Sequence, residues 1–251
     1  MKAAANLSHL WPELPYLDRF DAAAAAGFTA VEVLFPYDVP AKETHRALLR
    51  GGLQMILINA PPPNYTGGRR GFAAVVGDEA RFAHDMRRAF RYAEALRVPM
   101  IHVMSGVARG DAAKAVMIAN LQQAARSAPA GLTLTIEPLC EASQPGYFLN
   151  DYDLAAQIIA AVGAPNLRLQ YDSYHAQMIH GDAVTVFNKY RDIIAHVQIG
   201  DSPSRSAPGT GDVDFPALFD ALREADYRGW VSGEYTPGGA TERTLKWMKM
   251  L

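Results

Sequence analysis

The fold class predicted from this sequence is α/β: a single-domain (β/α)8 TIM barrel over residues 1–251. Three observations predict it. Eight short apolar runs recur along the chain, at 3–7, 30–35, 53–59, 100–104, 132–137, 167–172, 194–199 and 230–235. The runs are continuous rather than strictly alternating, as expected of parallel strands covered on both faces. Amphipathic stretches and turn residues separate them, and eight such units in about 250 residues match the size and order of this barrel. A doubly wound open sheet usually has fewer strands, and its dinucleotide-binding form places G-x-G-x-x-G after the first strand. Here that position reads Asn6-Leu7-Ser8-His9.

The helical stretches follow in order. Residues 14–26 carry Leu14, Leu17 and a row of alanines, and Gly27 supplies a stop. Residues 81–96 place Phe82, Met86, Phe90 and Ala93 on one face. Asp111 is the expected N-cap of a helix over 112–127. Asn150 is the expected cap of a helix over 151–162, with Asp151 and Asp153 favouring the positive end of its dipole and Gly163 ending it. Asp214 should cap 215–225, and 239–250 should form the last helix. Two long loops follow strands: 60–77, with Pro61-Pro62-Pro63 and Gly67-Gly68, and 200–213, with Gly209-Thr210-Gly211. In a barrel both lie on the C-terminal face, where long loops carry function.

Composition narrows the function classes. Apolar residues make up 49%, charged residues 20%, and the net charge is −2. That balance offers no basic surface for nucleic acid or an anionic membrane, and Arg69-Arg70 is too short a patch to change it. The one cysteine, Cys140, excludes an internal disulfide and fits a reducing compartment. The N-terminus lacks the apolar stretch of a signal peptide, and Ala22–Ala26 is far too short to span a bilayer. The expectation is a soluble cytoplasmic protein.

Four successive strands end in oxygen-bearing side chains. Glu137 closes L-T-L-T-I-E, Asp172 closes L-R-L-Q-Y-D, Gln198 lies in H-V-Q-I-G-D, and Glu234 lies in W-V-S-G-E-Y. Barrel active sites are built at these ends. Three carboxylates and one amide oxygen are hard ligands, suited to Mg²⁺ or Mn²⁺. Two facing carboxylates, Glu137 and Glu234, can remove a proton beside a carbonyl and return it to the adjacent carbon, while a divalent cation offsets enediolate charge. His175 could bind a substrate oxygen, and Arg205 could clamp a substrate carboxylate. His102 and His196 read as hydrogen-bonded core histidines with a supporting role as the alternative; His9, His45, His84 and His180 read as ordinary surface or loop residues. Trp11, Phe35 and Tyr65 could supply apolar wall. Gly209-Thr210-Gly211 could be a phosphate nest, but a lone G-x-G is a weak signal, and Cys140 has no mark of a nucleophile.

The motifs I-E-P, Q-Y-D-x-Y-H-x-Q, H-x-Q-I-x-D-x-P-x-R-x-x-P-G-T-G and G-W-V-x-x-E-Y resemble the hydroxypyruvate isomerase family of xylose isomerase-like TIM barrels. A-N-L-S near the N-terminus, F-P-Y after the second strand and G-x-R-G-F-A around Arg70 match as well, so the resemblance spans essentially the whole chain. It implies a divalent-metal site at Glu137, Asp172, Gln198 and Glu234, with Glu137 and Glu234 as proton donor and acceptor. Related keto-sugar epimerases imply substrate contacts for His175 and Arg205. Sugar 3-epimerases of this type usually carry histidine where this chain has Gln198, which favours the isomerase branch. Thr236 replaces a lysine often found after the E-Y pair, and the loop after strand three is richer in proline; both bear on substrate identity.

The resulting expectation is an isomerase of a small hydroxy-oxo acid, of the hydroxypyruvate/tartronate semialdehyde type or a 2-oxo-tetronate. A keto-sugar 3-epimerase or inosose-type dehydratase on the same metal site is the alternative, and a non-catalytic sugar-acid binding protein a further one. The expected partner is a small oxo-acid or keto-sugar, with no nucleic acid and no membrane; barrels of this kind also associate as homo-oligomers through helices or long loops.

Overall fold

Eight parallel strands close on themselves in sequence order in a computed structural model that describes residues 1–60 and 70–251. They are β1 (Lys2–Asn6), β2 (Ala30–Val33), β3 (Gln54–Asn59), β4 (Met100–His102), β5 (Thr133–Ile136), β6 (Leu167–Asp172), β7 (Ile194–Ile199) and β8 (Trp230–Gly233). The barrel shuts where Lys2 to Ala5 of β1 pair with Trp230 to Gly233 of β8. Closure leaves no strand edge exposed, so the backbone groups of every strand are paired on both sides.

The surrounding helices are α1 (Asp18–Ala25), α2 (Ala41–Gly51), α3 (Glu79–Leu96), α4 (Gly110–Ser127), α5 (Tyr152–Val162), α6 (Ser173–His180), α7 (Ala183–Tyr190) and α8 (Phe215–Glu224). The chain ends in 3₁₀ turns over Thr241–Met250 rather than in the α-helix expected from residue 239. The helix caps differ from expectation by small, physical amounts. Asp151, not Asn150, caps α5: its backbone is extended and its carboxylate accepts the Leu154 N–H at 2.9 Å. Asp111 lies inside the first turn of α4, where it favours the dipole, and Arg109 occupies the cap position without a side-chain bond. Asp214 caps α8 as expected, accepting from Ala217 N–H at 3.0 Å. Gly163 ends α5 in the left-handed region (φ 65°). The proline-rich part of the loop after β3, with Tyr65 and Arg69, lies outside the described residues.

Most of the core lies between barrel and helices: Phe20, Phe82, Phe90, Tyr152, Phe187, Leu218 and Phe219 are all buried there. Trp11, Phe28 and Trp247 pack edge to face or tilted at ring separations of 6.2 Å and tie the N-terminal loop to the C-terminal turns. A second, small cluster of Ala4, Ala30, Ile56, Leu57 and Met100, capped by Trp230, is separate from the first. Ala4, Ala30 and Met100 each lie two residues before a buried polar residue: Asn6, Glu32 and His102. Strand side chains alternate with period two, so each pair shares a face. The barrel interior is therefore plugged by apolar groups at its N-terminal end and becomes polar toward the C-terminal end. Among the described residues no helix is long and apolar enough to cross a membrane.

Replacing Asp151 with Ala should lower stability by about 1 kcal/mol, the usual value of an N-cap, whereas Asn150→Ala should change it little. Urea denaturation of the two variants measures the difference.

Candidate active site

Register places the polar interior in rings. Asn6 of β1 sits beside Glu32 of β2, Asn59 of β3 beside His102 of β4, and His102 beside Thr135 of β5. On β6 and β7, Gln170 pairs with His196, and Asp172 with Gln198. Glu137 and Glu234 follow β5 and β8 by one residue. All four oxygen-bearing residues singled out from sequence thus reach the same C-terminal mouth, and all are at least 96% buried.

Four carboxylates in this space repel one another and lose hydration, so each is held by specific partners. Glu32 accepts from His196 Nε2 at 2.6 Å, from Gln198 Nε2 at 2.7 Å and from Asn6 Nδ2 at 2.8 Å. Burial alone would raise its pKa; the His196 imidazole and these hydrogen bonds outweigh burial and hold it below the usual range. Asn6 Nδ2 also donates to Glu234 Oε2 at 2.9 Å, while its Oδ1 accepts from Ser8 N–H. Gln170 Nε2 donates to Glu137 Oε2 at 2.9 Å and to Gln198 Oε1 at 2.7 Å, and Gln170 Oε1 accepts from Thr135. A continuous chain of side chains therefore runs Glu234–Asn6–Glu32–Gln198–Gln170–Glu137.

Glu137 has the least compensation. Its Oε1 has no hydrogen-bond partner. Burial first, then the charges of Glu234 and Asp172, push its pKa well above the ordinary value. Burial raises Glu234 to about 8 against the opposing pull of Arg205. Asp172 is raised by burial too, although Arg205 and the Tyr174 N–H, which donates to Oδ1 at 2.9 Å, pull the other way. Arg205 Nη2 donates to Asp172 Oδ2 at 2.9 Å and to Glu234 Oε1. The guanidinium expected to meet a substrate carboxylate is thus held by two carboxylates of the protein itself, and its Cζ lies over the Tyr174 ring, 5.3 Å from the ring centre.

Asp201 explains how Arg205 is placed. Its carboxylate accepts from the backbone N–H groups of Ser202, Gly209, Thr210, Gly211 and Val213, at 2.8 to 3.0 Å. The Gly209-Thr210-Gly211 nest is real, but the chain's own Asp201 fills it, so it is not a phosphate site. Gly211 is required there because a Cβ would lie 1.9 Å from Ser202 O. The loop brings Arg205, in the left-handed region at φ 51°, back to β8, where the Thr236 N–H donates to its carbonyl at 2.8 Å.

His175 Nδ1 accepts from the Cys140 N–H at 3.0 Å. A neutral imidazole that accepts on Nδ1 carries its proton on Nε2, and burial, helped by the Arg205 charge, keeps this histidine neutral by lowering its pKa well below the ordinary value. Nε2, 3.8 Å from Asp172 Oδ2 and without a hydrogen-bond partner, is therefore a donor facing the cleft. His102 Nδ1 lies 3.4 Å from Glu137 Oε2, and burial lowers its pKa to about 3. His9, read from sequence as an ordinary loop residue, belongs to the site: its Nε2 is 3.5 Å from Glu234 Oε1. Phe35 lines the cleft, whereas Trp11 is buried away from it in the core, against Phe28 and hydrogen-bonded to Thr241 and Glu242. His45, His84 and His180 lie elsewhere; His84 meets Asp85, and His180 meets Asp151.

Glu32, Asn6 and Gln170 were missed from sequence. For Asn6 and Glu32 the available signal was an amide or charge two residues beyond a small residue in an otherwise apolar strand, as in A-V-E-V; for Gln170 it was a position two residues before Asp172, on the same face of β6.

The donor set suits a hard divalent cation. Ligand atoms of Glu137, Asp172 and His175 lie within 4.8 Å of one another. Of these, the tautomer of His175 makes it a hydrogen-bond donor rather than a ligand, whereas Glu137 Oε1 is a buried carboxyl oxygen lacking any partner. Several buried carboxyl groups whose ionised forms are costly, one of them with an orphaned oxygen, and an amide oxygen held at Gln198 form a donor set that a cation would satisfy.

Asp201→Ala should free the 200–213 loop, lower stability by about 3 kcal/mol as several charge-assisted hydrogen bonds are lost, and make the loop a preferred site of limited proteolysis. Denaturation curves and mapping of the first cleavage site check this.

The sequence profile of the xylose isomerase-like TIM barrel family matches residues 20–251. A 2-oxo-tetronate isomerase of Cupriavidus necator is 42% identical, with 98% of this chain and 96% of that protein aligned. The hydroxypyruvate isomerase of Escherichia coli is 36% identical, with 99% and 98% aligned. The crystal structure of a Brucella melitensis protein named AP endonuclease, family 2, superposes with a TM-score of 0.95 at 40% identity, covering 99% of this chain and 98% of that one.

Proposed function

This chain belongs to the xylose isomerase-like TIM barrel family, and we propose that it is an isomerase of small hydroxy-oxo acids. The observation that carries the reading is the pairing of Glu137 and Glu234. They follow strands on different sides of one cleft, both buried and both with raised pKa, and side-chain hydrogen bonds through Asn6, Glu32, Gln198 and Gln170 join them. Full-length relatives named 2-oxo-tetronate isomerase and hydroxypyruvate isomerase support the substrate class.

Isomerisation moves a hydrogen between adjacent carbons, one bearing a hydroxyl and the other a carbonyl. One glutamate takes the proton from the hydroxyl-bearing carbon, giving an enediolate; the other returns a proton to the neighbouring carbon, while the hydroxyl proton passes to the former carbonyl oxygen. His175 Nε2–H donates to a substrate oxygen, and Arg205, paired with both Asp172 and Glu234, sets the charge balance between them. Burial of the cleft excludes water and so protects the enediolate from stray protonation. Glu137, Asp172, Gln198 and Glu234 would hold a divalent cation, Mg²⁺ or Mn²⁺. Such a cation would supply Lewis-acid stabilisation of the negative charge that develops on the substrate during proton transfer.

The endonuclease name carried by the Brucella protein raises a DNA-repair reading. A net charge of −2 gives little electrostatic attraction for a phosphate backbone, which argues against it.

Glu137→Gln and Glu234→Gln should each slow solvent-deuterium incorporation into hydroxypyruvate or a 2-oxo-tetronate by at least about 100-fold, the usual scale for losing a positioned acid or base. Melting temperatures should stay near that of the wild type. Substantial exchange in both variants would sink the proton-shuttle assignment.

Treatment with a chelator should abolish the same exchange, and added Mn²⁺ or Mg²⁺ should restore it. Full activity after verified metal removal would rule out a required cation. A keto-sugar 3-epimerase would instead exchange ketohexoses faster than any oxo-acid in the same NMR assay.

A further inference from the structure

A substrate that is itself an anion poses a problem for this cleft. Glu137 and Glu234 line it and Asp172 lies beside them, and a monocarboxylate entering among them needs a positive partner. Among the described residues, two cations line the cleft, Arg205 and Arg70. Arg205 is neutralised by Asp172 and Glu234. Arg70 is exposed at the wall of the cleft.

The wall near Arg70 has its own polar groups that the proton shuttle does not use. Asn59, at the end of β3, is 3% exposed, and its Oδ1 has no partner. His102, its neighbour across the β3–β4 register, is 1% exposed, and neither ring nitrogen makes a hydrogen bond. Buried polar atoms without partners are rare in folded proteins and are commonly completed by a ligand or water. The backbone that carries Arg70 is fixed close by. The chain at Gly71 passes so near Met104 that a Cβ there would lie 2.3 Å from the Met104 carbonyl, and Ala73 N–H donates to that same oxygen.

We propose that Arg70 binds the carboxylate of the substrate, with Asn59 Oδ1 accepting from a neighbouring substrate hydroxyl, so that preference for an acid over a neutral sugar is set at the β3–β4 wall. The guanidinium offers a planar pair of N–H donors matched to a carboxylate. This anchors the acid at one end of the cleft and leaves the hydroxyl- and carbonyl-bearing carbons toward Glu137 and Glu234. The substrate class rests on the isomerase reading; the recognition of a carboxylate is tested apart from it.

The probe is glycerate, which has a carboxylate and two hydroxyls but no carbonyl and so is not turned over. Its affinity for the Mn²⁺-loaded protein is measured by calorimetry for the wild type, Arg70→Met and Arg70→Lys, with glycerol as the neutral counterpart. Mn²⁺ affinity and melting temperature serve as controls. The expected result is tighter binding of glycerate than of glycerol by the wild type. Arg70→Met should weaken glycerate at least about tenfold, or about 1.4 kcal/mol, with Mn²⁺ affinity and melting temperature held, and Arg70→Lys should recover part of the loss. A smaller change in Arg70→Met, a loss that tracks Mn²⁺ affinity, or wild-type binding of glycerol as tight as glycerate would overturn it. Failure of deuterium exchange with every oxo-acid would defeat the isomerase reading while leaving this binding comparison to stand or fall by itself.

Discussion

The concentration of carboxylates inside the barrel mouth is the constraint from which the rest of the site follows. Glu32, Glu137, Asp172 and Glu234 are each at least 96% buried. Taking one such ion out of water costs on the order of several kcal/mol even after relaxation. The fold meets that cost unevenly. Glu32 is fully engaged by His196, Gln198 and Asn6, Asp172 and Glu234 share Arg205, and Glu137 keeps one oxygen without a partner. The uneven distribution separates a structural carboxylate from those that remain available for chemistry. Pairs of titratable groups pushed apart by their environments are a recurring mark of acid–base sites.

The 200–213 loop is part of the same balance, although it lies outside the strands. Arg205 reaches the carboxylates only because the loop returns to β8, and the loop holds its shape because Asp201 gathers five backbone N–H groups. One buried carboxylate therefore organises the segment that partly neutralises two others. The anion hole that G-x-G suggested is present, with an intramolecular anion in it.

Much of this was legible in the sequence, and the reason is the periodicity of strands. Parallel strands buried on both faces give continuous apolar runs, so their number and order could be counted, and polar residues at the ends of 132–137, 167–172 and 230–235 stood out against them. Glu32 did not stand out as a ligand to other side chains, because A-V-E-V looks like a strand with one stray charge. Its meaning depends on Asn6, His196 and Gln198, which are brought to it by closure of the barrel, and no local pattern encodes that closure. The cap at Asp151 rather than Asn150 is a one-residue ambiguity between two good capping types, decided by which residue turns extended just before the helix. His9 was undervalued because a histidine in a loop carries no periodicity, and its approach to Glu234 joins the first β–α loop to the end of β8.

Gln198 shows how the interior network can decide chemistry at the mouth. An amide side chain has two ends, and a buried amide in the wrong orientation would present N–H where an oxygen is wanted. Here Glu32, an acceptor held ionised, takes the Nε2 end at 2.7 Å, and Gln170, whose Nε2 is a donor, takes the Oε1 end at 2.7 Å. Gln170 is oriented in turn by Thr135, which donates to its Oε1 at 2.9 Å. The amide at 198 therefore has one orientation compatible with its neighbours, and its oxygen keeps a second lone pair. A neutral histidine at that position has one donor nitrogen, which Glu32 could take, and a single acceptor nitrogen, which would have to serve either Gln170 Nε2 or a metal. The amide oxygen, with two lone pairs, can serve both, so the identity of residue 198 is coupled to Glu32 and Gln170. An imidazole that turned its acceptor nitrogen to a cation would leave the Gln170 Nε2 donor on β6 to find another acceptor.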